Sequence, residues 1–295
     1  MNKGAKWNRE LEQAAERLIA LALAEDCVSN DITSNTAFST ADICTVSVIT
    51  REKAVLAGMR LIAQVYAHIS DKVDVILQHD DCECVGESAC IANVTGPARA
   101  VLAGERIVLN FIQRLCGIAT ITREYTVRVA GTGVDIVDTR KTTPGWRTLE
   151  KYAVRCGGGV NHRNNLSEMV MFKDNHIALS GCSLEELISV ARKDNPDIAI
   201  ACEADTLEQV KRLLRLDINI LMLDNMRPDE MLTAVRLNTG KIELEATGGI
   251  TLETVRAAAE TGVRRISIGA LTHSVRAIDI GMDVKKDDKK HVRTR

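Results

Sequence analysis

The sequence predicts an α/β protein whose C-terminal half winds a parallel sheet into an incomplete barrel. Three observations predict it. After Gly131, short aliphatic or β-branched segments alternate with helical ones, and repeated strand–helix units of this length build a parallel sheet. The predicted strands run out into Asp138, Lys173, Glu203, Asp224, Thr247 and Gly269, and barrel enzymes place their sites at that end. No GxGxxG opens a helix after a strand, which counts against a dinucleotide-binding fold. Six strands are readable rather than eight, so the barrel is expected to be incomplete.

Each element has its own signal. Residues 8–25 carry Leu11, Ala15, Leu18, Leu21 and Leu23 among charges, a helical pattern. Asn30 to Ser34 reads as a turn. Ile43–Thr50 is β-branched and Val73–Leu77 resembles it, so both are predicted strands, and Gly96-Pro97 closes this part. A long helix is predicted from about Ala98 to Ala130, with Leu102, Leu109, Ile112 and Leu115 on its apolar side. The later strands are Val134–Asp138, Met169–Phe172, Ile198–Glu203, Ile218–Asp224, Ile242–Thr247 and Arg264–Gly269. Between them fall helices at Leu184–Lys193, Leu207–Leu216, Pro228–Leu237 and Leu252–Thr261. The charged tail Lys285–Arg295 is expected to be disordered.

Composition narrows the partner. The 295 residues suffice for one large or two medium domains. With 45% hydrophobic and 26% charged residues the balance is that of a soluble globular protein. A net charge of −2 and 3% aromatic residues leave neither a basic face for phosphate backbones nor a base-stacking platform, so no nucleic-acid partner is expected. The nine cysteines are scattered and form no paired CxxC, which predicts buried, reduced thiols acting as small hydrophobes. Met1–Glu10 has no apolar leader, and no run approaches the ~20 apolar residues of a membrane span. A cytoplasmic protein without membrane contact is the expectation.

The chemistry concentrates between Asp138 and Ile177. That stretch reads Asp138-Thr-Arg140-Lys141-Thr-Thr-Pro-Gly145, then Gly157-Gly-Gly159, Asn161-His162-Arg163 and Lys173-Asp-Asn-His176-Ile177. Guanidinium groups offer parallel N–H donors that match two carboxylate oxygens, so Arg140, Arg163 and Arg106 are candidate forks. A lone arginine is ordinarily a solvated charge. Arg140 and Arg163 differ because they sit in polar loops beside Lys141 and His162, whereas Arg106 lies in a helix and could pair with Glu105. Glu203 and Asp224 end consecutive strands. They suit Mg²⁺ shared with a phosphorylated substrate, or equally a salt bridge to Lys173 or Lys141. The glycines of Gly157–Gly159, Thr247-Gly248-Gly249 and Ser267-Ile-Gly269-Ala270 let backbone N–H groups approach a phosphate, although glycine also serves plain turns. Together these groups suit a reaction joining a carboxylated ring to a phosphorylated sugar.

At these residues the chain closely resembles the quinolinate phosphoribosyltransferases, also called nicotinate-nucleotide pyrophosphorylases. The blocks are Asn30-Asp-Ile-Thr33, Gly104-Glu-Arg106 with Leu109-Asn-Phe111, Asp138 to Gly145, Gly157–Gly159 with His162-Arg163, Lys173 to Ile177, Met222-Leu-Asp224-Asn225 and Ile266 to Ala270. The resemblance implies an N-terminal α/β sandwich over residues 1–117, rejoined by 275–295, and an incomplete barrel over 118–274. It implies a homodimer or larger assembly with shared sites, into which Arg106 enters from the partner. Arg140, His162, Arg163 and Lys173 would hold the two carboxylates of quinolinate. Lys141 would serve the phosphoribosyl pyrophosphate, Glu203 and Asp224 the Mg²⁺ side, and Thr247, Gly248, Gly249, Gly269 and Ala270 the 5′-phosphate. The implied activity is phosphoribosyl transfer with decarboxylation, a step of NAD biosynthesis.

Three positions depart from the family pattern. Ala201-Cys202-Glu203 keeps only the second acid of a common Glu-x-Glu, Thr247 replaces a serine, and Cys116 replaces another. Two other readings share part of the pattern. A paralogous pyrophosphorylase-like protein of molybdate metabolism has the Thr-Arg-Lys and Pro-Gly elements but departs from Lys-Asp-Asn-His, which is intact here. A non-catalytic dicarboxylate-binding barrel would have no use for Glu203 and Asp224.

Overall fold

The computed structural model describes residues 5–240 and 242–284. The predicted disordered tail, Lys285–Arg295, lies outside the described residues. Contacts divide the chain into two compact units, one of Met1–Arg123, Thr142–Gly158 and Ser274–Arg295, the other of Glu124–Lys141 and Gly159–His273.

The first unit is built on a four-stranded antiparallel sheet in the order Ile280–Val284, Ile43–Thr50, Cys90–Pro97, Asp74–Leu77. The β-branched run at Ile43–Thr50 forms the predicted strand and takes ladders on both sides. Val46, Val48 and Ile91 are buried, and polar side chains on these strands pair across the ladder: Ser47 Oγ donates to Asn93 Oδ1 at 3.0 Å, and the Thr45 and Thr95 hydroxyls lie 3.0 Å apart. Such cross-strand pairs hold register. The first helix, Arg9–Glu25, starts where Asn8 Oδ1 accepts the Leu11 N–H at 3.0 Å and buries Leu11, Ala15 and Ile19. The Asn30–Ser34 turn is instead the start of a short helix, Ile32–Ala37. Asp31 caps it by accepting the Ser34 N–H at 3.0 Å, and a capped start of that kind reads locally like a turn. The long helix runs Ala98–Arg128 and buries Val101, Val108, Phe111, Ile112 and Leu115. The helix Arg147–Cys156 belongs to this unit, where Tyr152 Oη donates to Asp81 Oδ2 at 2.5 Å.

The second unit holds six parallel strands in the order Asp135–Val137, Arg265–Ser267, Glu243–Thr247, Ile220–Asp224, Ile200–Ala204, Val170–Phe172. The first strand therefore pairs with the last, and all the others pair with their neighbours in sequence. That is the cyclic order of a barrel rather than the reversing order of a doubly wound sheet. On its other edge the first strand takes a parallel bridge from Val137 to Val160. Among the described residues no ladder joins Val160 to Val170–Phe172, and the ring is open there. The predicted helices appear as Leu184–Asp194, Leu207–Leu213, Pro228–Leu237 and Val255–Ala259, each near its predicted span.

The cysteines divide more evenly than predicted. Cys116, Cys156 and Cys202 are buried, whereas Cys27, Cys84 and Cys182 are exposed in turns, a two-residue strand or their neighbourhood. Burial pushes the Cys116 and Cys202 thiols up to about 12, which keeps both protonated as packing groups.

Candidate active site

A cavity of about 600 Å³ opens at the C-terminal ends of the ring strands, and every residue lining it belongs to the second unit. Strand pleating puts alternate side chains on the same face, so one face of the ring supplies the pocket in tiers. The register sets Glu203, Met222 and Glu245 opposite one another in one tier and Asp224 and Thr247 in the next tier outward.

Cations and acids occupy different arcs of the ring. Arg140 and Lys141 follow the first strand, His162 and Arg163 follow the Val160 bridge, and Lys173 follows the Val170–Phe172 strand. Glu203, Asp224 and Glu245 stand on the next three strands. The acid within the cationic arc, Asp138, is fully buried and engaged by its own loop: its oxygens accept the His162 N–H at 2.8 Å and Asn161 Nδ2 at 2.5 Å. Those two bonds tie the His162-Arg163 segment to the first strand.

Arg163 is positioned from the opposite direction. Its Nη1 donates to the Met169 carbonyl at 2.8 Å and its Nη2 lies 3.4 Å from the Met171 sulfur. Burial, then the nearby Arg140 charge, draws the Arg163 guanidinium below its ordinary pKa, with Glu203 opposing. Such a cation gains on meeting an anion that restores its lost solvation. Lys173 pairs with Glu203 through its ammonium, the salt-bridge alternative that the strand spacing had left open. His176, next in that motif, accepts the Lys173 N–H on Nδ1 at 3.1 Å and so caps the helix Asp174–Ser180. Its role in the structure is to hold the backbone of Lys173.

The glycine turn at Gly248 is dictated by space as well as by backbone. Gly248 has φ +86°, and a Cβ there would collide with the side-chain oxygen of Asn225. Asn225 is itself left-handed at φ 55° and donates its N–H to the Thr247 carbonyl at 2.9 Å. The two strand ends are thereby locked together at this turn.

The pocket thus brings together Arg140, Lys141, His162, Arg163, Lys173, Glu203, Asp224, Thr247, Gly248 and Gly249. Arg106 does not line it; it is exposed on the long helix, whose residues up to Arg123 belong to the first unit. Gly269 and Ala270 are also outside the lining, although a Cβ on Gly269 would approach Lys141 Cδ to 3.2 Å. Gly157 has a packing reason instead of a phosphate one, because a Cβ there would meet the Ala119 carbonyl and Thr122 of the long helix. Sequence reasoning missed Glu245 and Met171, and it named Ser267, Met222 and Asn225 in motifs without giving them a role. For Glu245 a signal existed: it stands two residues before Thr247 on a strand, and so on the same face.

Ala201 lies where the sequence departs from a paired acid. It is fully buried with Ile220 and Met222, and Met169 and Met171 pack against them. An acid there would be enclosed by apolar side chains, so the tier at Ala201 is a dry one.

A family model described as Quinolinate phosphoribosyl transferase, N-terminal domain, matches residues 31–116, and its C-terminal counterpart matches residues 118–283. The nicotinate-nucleotide pyrophosphorylase (carboxylating) of Mycobacterium leprae is 37% identical over 277 residues, 92% of this chain and 97% of that protein. The chloroplastic Arabidopsis thaliana protein of the same name is 36% identical over 286 residues, 90% of this chain and 82% of that protein. The solved structure of the nicotinate-nucleotide pyrophosphorylase from Francisella tularensis superposes with a TM-score of 0.90 at 33% identity, covering 97% of this chain and 100% of that one.

Proposed function

This chain belongs to the quinolinate phosphoribosyltransferase family, and on that premise we propose how its barrel-mouth pocket carries out the reaction. The reaction is phosphoribosyl transfer from phosphoribosyl pyrophosphate to quinolinate, with loss of CO₂, giving nicotinate mononucleotide and pyrophosphate. The observation that carries the residue assignments is the division of the ring into a cationic and an acidic arc around one cavity of about 600 Å³.

Quinolinate lies against the cationic arc, its two carboxylates taken by Arg140, Arg163 and Lys173 with His162 as a further donor. Lys141 and the turn Thr247-Gly248-Gly249 serve the phosphates of the sugar, with Gly269 and Ala270 just beyond. The pyridine nitrogen attacks C1 of the ribose while the C1–O bond to pyrophosphate breaks and its electron pair leaves with the pyrophosphate. The developing positive charge on the sugar faces Glu203 and Asp224, preorganised in the acidic arc. The pyridinium then loses its 2-carboxylate as CO₂. The electron pair stays on C2 beside the positive nitrogen and takes a proton from solvent. The chain's main contribution is to position and desolvate the diacid, and no general base is assigned.

The residues fit Mg²⁺ as a substrate-carried ion. Among the described residues no three acid, histidine or cysteine groups cluster as a self-sufficient metal site. Asp224 lines the pocket, and among the described residues one Glu203 oxygen is engaged, by Lys173. One or two carboxylates completed by phosphate oxygens is how Mg²⁺ is usually held. When bound, it would neutralise pyrophosphate charge. Arg106 enters from the partner subunit of a homodimer.

The test is formation of nicotinate mononucleotide and CO₂ from the two substrates, with and without Mg²⁺, by wild type and by Arg163→Ala. One CO₂ per nucleotide, dependent on metal, and a rise of about a hundredfold in the quinolinate KM of the variant are expected, the loss of a charged fork. Unchanged quinolinate KM in Arg163→Ala would remove that arginine from the diacid subsite. No product from folded wild type would favour a dicarboxylate-binding role.

A further inference from the structure

Two of the nine cysteines, far apart in sequence, meet within the first unit. Cys156 is fully buried at the end of the helix Arg147–Cys156, and Cys82 is half-buried in the turn before the strand Cys84–Val85. Their side chains share a hydrogen bond. The surroundings fix both partners. Tyr152, one helical turn before Cys156, donates from Oη to Asp81 Oδ2 at 2.5 Å and so ties the helix to the turn. Asp81 Oδ1 accepts the Met59 N–H at 2.9 Å, and the Cys82 N–H donates to the Leu56 carbonyl at 2.8 Å. Cys82 itself is held at φ 74°, a left-handed backbone that residues with a side chain seldom adopt. The shared hydrogen bond also polarises the pair. Hydrogen bonding from Cys156 draws the Cys82 thiol down to about 7 against the opposing effect of burial, with the Ala5 N–H assisting. The same bond, with burial, pushes Cys156 up and leaves it the proton donor. A thiolate open to solvent beside a second, protonated thiol is the arrangement of an oxidisable cysteine and its resolving partner.

We propose that Cys82 and Cys156 form a redox modification site: a hydroperoxide oxidises Cys82, and Cys156 resolves the product to an intramolecular disulfide. In the first step the Cys82 thiolate attacks a peroxide oxygen. The S–O bond forms, the O–O bond breaks, and the departing hydroxide is protonated to water. In the second step the Cys156 sulfur attacks the Cys82 sulfur. The S–S bond forms as the S–O bond breaks, and the departing hydroxide takes the Cys156 proton. Two thiols are oxidised to one disulfide while one hydrogen peroxide is reduced to two waters. Exposure sets the order, because Cys82 admits a small oxidant and the enclosed Cys156 does not. The bond would staple the turn to the helix end and close a loop of about 75 residues. Neither cysteine lines the barrel-mouth cavity, so the inference does not depend on the reaction assigned there.

The test treats the reduced, full-length protein with hydrogen peroxide at neutral pH and maps every thiol by mass spectrometry, in wild type, Cys82→Ser and Cys156→Ser. Wild type should lose these two thiols, yield a peptide pair joined through Cys82 and Cys156, and regain both thiols with dithiothreitol. Cys156→Ser should stop at a Cys82 sulfenic acid that dimedone captures. Cys82→Ser should keep Cys156 as a free thiol under the same treatment. A wild-type bond from Cys82 to Cys84 or Cys90 would overturn the proposal, as would a bond between two chains. So would a Cys82 that stays reduced after the exposed Cys27 and Cys182 have been oxidised, or a Cys156 oxidised in Cys82→Ser. The wild-type cross-link is read without any substitution, so a variant that fails to fold still leaves a decisive result.

Discussion

Glu150 and Glu245 are both fully buried, yet one is surrounded by donors and the other faces a cavity. Glu150, in the first unit, accepts from Arg114 Nε at 2.9 Å, from Arg114 Nη2 at 2.6 Å and from the Thr143 N–H at 3.2 Å. Glu245, in the second, has no hydrogen bond to either oxygen among the described residues. Desolvating a carboxylate costs several kcal/mol, which Glu150 recovers locally and Glu245 does not. Glu150 therefore ties its surroundings together, whereas Glu245 lines the cavity with the His162 Nε2 3.4 Å from its Oε2.

Three substitutions can break or sharpen that contrast. Glu150→Leu removes the carboxylate to which Arg114 and the Thr143 N–H donate, and should lower the unfolding free energy by about 3 kcal/mol in urea titrations. A wild-type midpoint for this variant would end the comparison. Asp138→Ala tests the intermediate case, since Asp138 is satisfied and also lines the pocket. It should cost about 2 kcal/mol for the two donors left behind, with activity falling because the His162-Arg163 segment loses its tether. Glu245→Leu should leave the unfolding free energy within about 1 kcal/mol of wild type, since no hydrogen bond to either oxygen is lost. Strong destabilisation there would mean that Glu245 supports the fold as Glu150 does.

Periodicity made the ring legible. Every predicted barrel strand is present within two residues or so of its predicted span, and Pro228–Leu237 has its predicted bounds, with Pro228 at its first turn. The elements that escaped prediction lack a periodic signal of their own. Cys90–Pro97 alternates weakly and ends in a proline that reads as a stop, yet its ladders with Ile43–Thr50 and Asp74–Leu77 make it central. Arg147–Cys156 carries charges that only its tertiary partners bury, Glu150 and Lys151 among them. In the site, loop cations were legible because Arg140 and Arg163 stand among small polar residues. Glu245 was legible only through its spacing from Thr247, a weak signal because an acid inside a strand normally faces solvent; the tier it shares with Glu203 places it in the pocket. Gly157 misled in the opposite sense: its reason is helix packing, which no local pattern reports.

The pairing of Asp135–Val137 with Arg265–Ser267 has a consequence for synthesis. Roughly 130 residues separate the two strands, so the ladder between them cannot form until nearly the whole chain has left the ribosome. At the usual pace of translation that delay is on the order of ten seconds. Throughout it the nascent first strand presents an open β-edge, a template for pairing with other chains. The pocket, lined from Asp138 to Ser267, can take shape only once its last strand is made, and the first unit, whose sheet takes Ile280–Val284 at its edge, is completed later still.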